Sequence, residues 1–271
     1  MLTNFETMFT DVNDKMGTIA GEVSKTPSIW NSGIFDMIKT LSDNVMIPIA
    51  GMIISFVLVY ELISMVIDKN NLHDFNTAIF IRFFMKACIA VMLLSKTFDI
   101  VMAVFDVGSH IVNSAAAAIS GETSIDVSST LQTMFNEQFS EMSIGELLGL
   151  GMETMIVSLC MKIMSVHITV ILYGRMIEIY LYVSVAPVPC ATVTNQEWGT
   201  IGTNYFKGLC ALAFQGFFMM VCVAIYAVLV AGVTVADNLH TALWSVAAYT
   251  VILCFSLFKT GSLSKSIWNA H

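Results

Sequence analysis

Apolar residues in this chain fall in long blocks separated by short polar breaks. The first runs from Val45 to Ile67, interrupted by Pro48 and Glu61. The second starts near Thr77 and reaches Leu94, carrying Arg82 and Lys86. A third stretch, Ile100–Ile119, contains Asp106, His110 and Asn113, and its pattern fits an extension of the second span, an interfacial helix or a partial insertion alike. Residues 152–194 are apolar apart from Lys162, His167, Arg175 and Glu178, and Pro187 and Pro189 close the block. Gly208–Val233 and a run from about Leu239 to Phe258 follow. Crossing roughly 30 Å of hydrocarbon takes about 20 residues in a helix, and several of these blocks are that long. The pattern predicts an all-α integral membrane protein.

The polar segments predict lesser helices. In residues 1–44, Thr26-Pro27 reads as a cap followed by proline at the first helical position. Trp30, Ile34, Met37, Ile38 and Leu41 then share one face, as in an amphipathic helix lying at a membrane surface. Residues 120–151 hold Glu122, Asp126, Glu137, Glu141 and Glu146 and no Lys or Arg. Within them Leu131, Met134, Phe135, Phe139 and Met142 recur at helical spacing, which predicts an amphipathic loop helix. Ser143 and Glu146 form the S-x-x-E pattern of a capping box where the next long helix should begin. Four parts result: a segment 1–44, two spans with the ambiguous extension in 45–119, the acidic loop 120–151, and a C-terminal membrane region 152–271.

Basic residues mark cytoplasmic flanks. Lys69, Arg82 and Lys86 place the first turn inside, the loop without basic residues outside, and Lys259 and Lys265 the C-terminus inside. Residues 152–194 then cross once, as one long helix with a proline-broken continuation at the cytoplasmic interface. Five transmembrane helices follow, with the N-terminus outside. The rival is six spans, with a tight hairpin at Gly174-Arg175 and the N-terminus inside.

Composition narrows the function classes. The chain of 271 residues is 56% apolar and 12% charged, against about 50% and ~25% for soluble domains. A net charge of −8 without a basic stripe excludes a duplex nucleic-acid binder. The six cysteines lie inside apolar blocks without a C-x-x-C pair, as small packing residues do. The first long apolar run begins near Val45, so no cleavable leader is read and insertion is expected through the first span. His110, His167 and His240 have no partner at ligand spacing, and the 19 methionines are spread over all spans. No nucleotide-phosphate loop, zinc-protease motif or nucleophile elbow occurs. The residues thus read as a helix-packing component with no cofactor, not an enzyme.

Charges inside hydrocarbon are usually paired. Glu61 and Arg82 lie at similar depth, roughly 8–9 Å inside the cytoplasmic boundary by helix rise, and an ion pair between them is expected. Arg175 and Glu178, at i and i+3, are expected to form a second. A secondary transporter or channel for ions and small solutes is the alternative function. Such proteins usually carry paired broken helices, whereas one proline-broken region is legible in the sequence.

The segment Arg175–Gly216 reads RMIEIYLYVSVAPVPCATVTNQEWGTIGTNYFKGLCALAFQG. It resembles the core of the TrbL-like family, the polytopic inner-membrane subunit of type IV secretion and conjugative transfer systems. The elements carrying the likeness are Arg175 and Glu178, the Ala186-Pro187-Val188-Pro189 break, and the turn with Glu197 and Trp198. Gly202, Asn204, Phe206 and Lys207 follow, then Ala211, Gln215 and Gly216. The resemblance implies a multi-pass protein of the bacterial cytoplasmic membrane that assembles as a homo-oligomeric ring. It implies as partners the other secretion subunits, cytoplasmic ATPases among them, and transient contact with a DNA–protein substrate. Pro187, Pro189, Glu197, Trp198, Asn204, Lys207 and Gln215 become candidates for an elbow that docks partners. The acidic central loop is brief, so roles needing a large loop are not expected.

Overall fold

The computed structural model describes residues 16–68, 77–120, 143–195, 197–233 and 239–270. Among them every regular element is helical. In chain order these are α1 (residues 16–24), α2 (Pro27–Trp30), α3 (Ser32–Leu41), α4 (Ile47–Asp68), α5 (Thr77–Ser95) and α6 (Thr97–Ser120). Then come α7 (Ile144–Val185), α8 (Pro187–Thr192), α9 (Gly199–Val233) and α10 (Leu239–Ile267). The expected loop helix Leu131–Met142 lies outside the described residues.

Among the described residues five helices are long and apolar enough to cross a membrane: Ser32–Ile67, Thr97–Ile119, Ile144–Val185, Gly199–Val233 and His240–Ile267. Four of the five are spans of the sequence reading, and the fifth is Thr97–Ile119, left unplaced by its polar interruptions. α5, the second span of that reading, is a helix of 19 residues carrying Arg82 and Lys86. No hairpin forms at Gly174-Arg175, because α7 runs helical through both residues for 42 positions. The capping box forms as read: Ser143 N–H donates to Glu146 Oε2 at 2.9 Å, and Glu146 N–H to Ser143 Oγ at 3.4 Å.

The first segment departs from a flat surface helix. It is broken at Lys25-Thr26 and at Asn31, with Pro27 opening α2 and the Asn31 side chain accepting from Ile34 N–H to start α3. Between α3 and α4 a π-helical turn spans Ser42–Met46, just ahead of Pro48. A proline has no N–H to give and crowds the carbonyl four residues back, and one wide turn removes that clash.

The chain divides into two compact units. One comprises Met1–Lys25, Gly108–Arg175 and Phe214–Leu263. Its core joins Ile19 and Val23 of α1 to Val112, Leu150, Leu172, Met219, Leu243 and Leu257. Tyr226 and Thr250 share a buried hydrogen bond at 2.8 Å, and His240 Nδ1 meets Glu153 Oε2 at 2.7 Å. The other comprises Thr26–Val107, Met176–Ala213 and Ser264–His271. Its larger core gathers Ile38, Phe98, Val101, Phe105, Ile179, Val183 and Leu209. A smaller one joins Ala50, Ile54, Ala90, Leu94 and Ala191. Small residues at three of those five positions let α4, α5 and α8 approach closely, as helices in membranes do.

Candidate functional site

The proline-marked turn lies in the second unit, and its construction follows from its residues. α7 stops at Val185; one residue, Ala186, separates it from α8. Pro187 takes the first position of α8 and Pro189 the third. The first turn of any helix leaves its N–H groups without internal acceptors, so two prolines there sacrifice no helical bond. The sequence reading of two prolines ending a helix therefore holds for α7, and the same pair opens α8. After α8 the chain turns at Asn195 and enters α9. The return is tight: a Cβ on Gly202 would sit 2.6 Å from the Pro189 carbonyl oxygen and 2.3 Å from Val193 Cγ2. Only glycine allows that approach.

The turn is clasped to α4, and through Glu61 of α4 it is linked to α5. Asn195 is buried, and its Oδ1 accepts from the backbone N–H of Glu197 at 2.8 Å and of Trp198 at 2.9 Å. Its Nδ2 donates to Glu61 Oε2 on α4 at 3.2 Å. The other oxygen of Glu61 accepts from Lys86 Nζ on α5 at 2.6 Å. Tyr60 Oη donates to Glu197 Oε2 at 2.9 Å. Trp198 stacks on Phe56 and Tyr60, with centroids 5.6 and 6.0 Å apart and planes 15° and 9° apart. Two polar contacts and one aromatic stack thus tie the turn to α4, and the Glu61–Lys86 pair ties α4 to α5. Such a site orders backbone and charge. Among the described residues no cluster of three or more metal-ligating groups occurs.

The expected partners are redistributed. Glu61 pairs with Lys86, one helical turn beyond Arg82, and Arg82 is exposed. The expectation assumed that depth is counted evenly from both helix ends; the register of α4 against α5 differs from that by about one turn, ~6 Å. Arg175 and Glu178 also find separate partners. Glu178 accepts from Lys265 Nζ at 2.7 Å, within the second unit. Arg175 is buried in the first unit, where its Nη1 donates to the Val23 carbonyl of α1 at 3.4 Å. Gly216 makes room for this guanidinium, since a Cβ there would lie 2.9 Å from Nη2. Of the elbow candidates, Pro187, Pro189, Glu197 and Trp198 belong to the turn. Asn204 is exposed, Lys207 is half-buried, and neither joins the clasp. Gln215 is buried in the first unit against Gly261. Sequence reasoning missed Asn195, Tyr60 and Lys86 as members. An Asn four residues ahead of a helix start, able to accept from the amides two and three residues on, was the available signal.

Burial is one further property of the turn. It pushes the Cys190 thiol on α8 up to about 11, against a smaller opposing effect of the Thr97 hydroxyl.

A multi-pass helical membrane protein with a proline-marked, polar-clasped turn is the class these features define. The model of the TrbL/VirB6 plasmid conjugal transfer like protein family matches residues 12–187, more than half of the chain, and the chain belongs to that family. It is accordingly a conjugal transfer component of the type IV secretion class. The matched range includes only Arg175–Pro187 of the segment that carried the resemblance in the sequence. No curated protein and no solved structure matches the chain.

Proposed function

We propose that this chain is a non-catalytic, membrane-embedded channel or platform component of a conjugative DNA-transfer machine, assembled as a homo-oligomeric ring in the bacterial cytoplasmic membrane. In this reading the N-terminus lies outside and the C-terminus inside, and the Pro187–Trp198 turn meets cytoplasmic subunits, ATPases among them. A DNA–protein substrate contacts the ring only transiently. One observation carries the reading: Asn195 and Trp198 fasten a turn between two long helices to α4, whose Glu61 is in turn paired with Lys86 of α5. A partner seated on the turn therefore pulls on a membrane helix directly.

The test replaces Pro187 and Pro189 with alanine together. The two added N–H groups let α7 continue through Ala186, which displaces Asn195 from Glu61. Conjugative transfer is expected to be lost while membrane insertion and protein level stay normal. Normal mating frequencies in the double variant contradict the reading. The secondary-transporter reading draws on a different observation, the break at Lys25-Thr26 with Arg175 on the carbonyl end of α1, since broken helices mark transporter sites. Solute uptake by the purified protein in liposomes decides for it.

A further inference from the structure

We propose that Arg82 on α5 is the ligand of an anionic phospholipid headgroup. Every group in the case for it belongs to the second compact unit. Ala50 and Ile54 of α4 share a core with Ala90 and Leu94 of α5, and Glu61 meets Lys86, so the two helices run antiparallel. Arg82 stands one turn beyond Lys86 toward the connection between them, a rise of about 6 Å. It is exposed, and among the described residues it makes no ion pair. The carboxylate of that region, Glu61, has both oxygens engaged, one by Lys86 and one by Asn195. Of the two cations on α5 the chain therefore neutralises Lys86 and leaves Arg82 for an anion from outside.

The surroundings of Arg82 select the kind of anion. Ile81, Phe84 and Met85 beside it are each more than half exposed. In a multi-pass membrane protein a guanidinium among such side chains is costly unless it reaches the headgroups, and its long stem allows that. Aromatic residues mark the same level independently. Tyr60, next to Glu61 on α4, stacks with Trp198, and Tyr and Trp collect where hydrocarbon gives way to headgroups. Arg82, one turn nearer the connection, extends from this belt to the phosphates. Its planar fork matches two oxygens of one phosphate. A headgroup with net negative charge is favoured, because a zwitterionic one brings its own cation to compete.

The experiment incubates the full-length protein in detergent with phosphatidylglycerol or phosphatidylcholine at equal mole ratio, and native mass spectrometry counts the lipids retained. The parent chain is expected to retain phosphatidylglycerol in preference. Arg82→Gln is expected to lower that preference about fivefold, the worth of one basic residue at an anionic surface. Lys96→Gln, whose cation is exposed but already bonded to Asp99, is expected to leave it unchanged. Arg82→Met takes the place of Arg82→Gln if thermal unfolding of the latter in detergent differs from that of the parent. Equal retention of the two lipids by the parent overturns the proposal, whether water or a carboxylate of a second copy serves Arg82 instead. An Arg82 variant with the parent's preference, or a Lys96→Gln variant that loses as much, overturns it as well, since the charge at Arg82 is then not what selects the lipid.

Discussion

Replacing Asn195 with alanine removes three hydrogen bonds at once. Two are to the backbone N–H groups of Glu197 and Trp198, and the third is to the Glu61 carboxylate. Asn195 is buried, so the groups it leaves behind are not rehydrated freely. Each neutral bond contributes about 1 kcal/mol net and the charged one about 1.5 kcal/mol, which totals roughly 3 kcal/mol after allowing for overlap. At 1.4 kcal/mol per factor of ten, the turn opens roughly a hundredfold more often. Hydrogen exchange of the detergent-solubilised protein reads this directly, at the amides of Glu197 and Trp198. They are expected to exchange about a hundredfold faster in Asn195→Ala, while core amides of α9 such as Leu212 stay unchanged. Asn195→Asp separates the two roles. It keeps the oxygen acceptors for both amides but sets a second carboxylate beside Glu61, so exchange at Glu197 and Trp198 stays slow as the link to α4 weakens. If Asn195→Ala leaves both amides as protected as in the parent chain, the clasp is not what holds the turn.

Three further outcomes follow from the same geometry. Gly202→Ala forces a Cβ into the Pro189 carbonyl and Val193, and is expected to destabilise the protein by about 1–3 kcal/mol in a thermal unfolding assay in detergent. Gly145→Ala, with nothing within 4 Å of the added methyl, is the neutral control. In a double-mutant cycle, Glu61→Gln with Lys86→Met should show a coupling near 1 kcal/mol, modest because Lys86 is 41% exposed, whereas Glu61→Gln with Arg82→Met should show none. Cys190, raised to about 11, is almost wholly neutral thiol at pH 7, so its alkylation in the folded protein is expected to be slow. The rate should climb about tenfold per pH unit up to that value, and mass spectrometry of maleimide-treated protein checks it, with SDS-unfolded chain as the fully labelled reference.

The helices were legible wherever a local signal was enough. The capping box at Ser143 and Glu146 marks the start of α7, and Pro187 and Pro189 mark its end, because cap chemistry and a missing N–H act within one turn. Ile100–Ile119 was not legible as a span, since Asp106, His110 and Asn113 break its hydropathy. The folded chain buries the other side of that helix through Val101, Phe105 and Val112, a tertiary fact that composition does not carry. The same limit explains the first segment. Its periodicity marks one apolar face, but whether lipid headgroups or other helices cover that face depends on neighbours distant in sequence, here Phe98, Ile179 and Val183 around Ile38.

Pairing was the least legible feature, for a geometric reason. On a helix, residues four apart share a face and differ by about 6 Å in height, so depth alone cannot choose between Arg82 and Lys86 for Glu61. What chooses is a third group. Asn195 holds one oxygen of Glu61 from the side of the turn, which orients the other toward α5 at the height of Lys86. The carboxylate is thus positioned by the turn before the cation is selected. The register of α4 on α5 and the position of the Pro187–Trp198 turn are therefore one structural variable: a turn that moves takes the ion pair with it. That coupling requires Asn195→Ala to weaken the Glu61–Lys86 interaction in the double-mutant cycle, although Asn195 touches only one of the two partners.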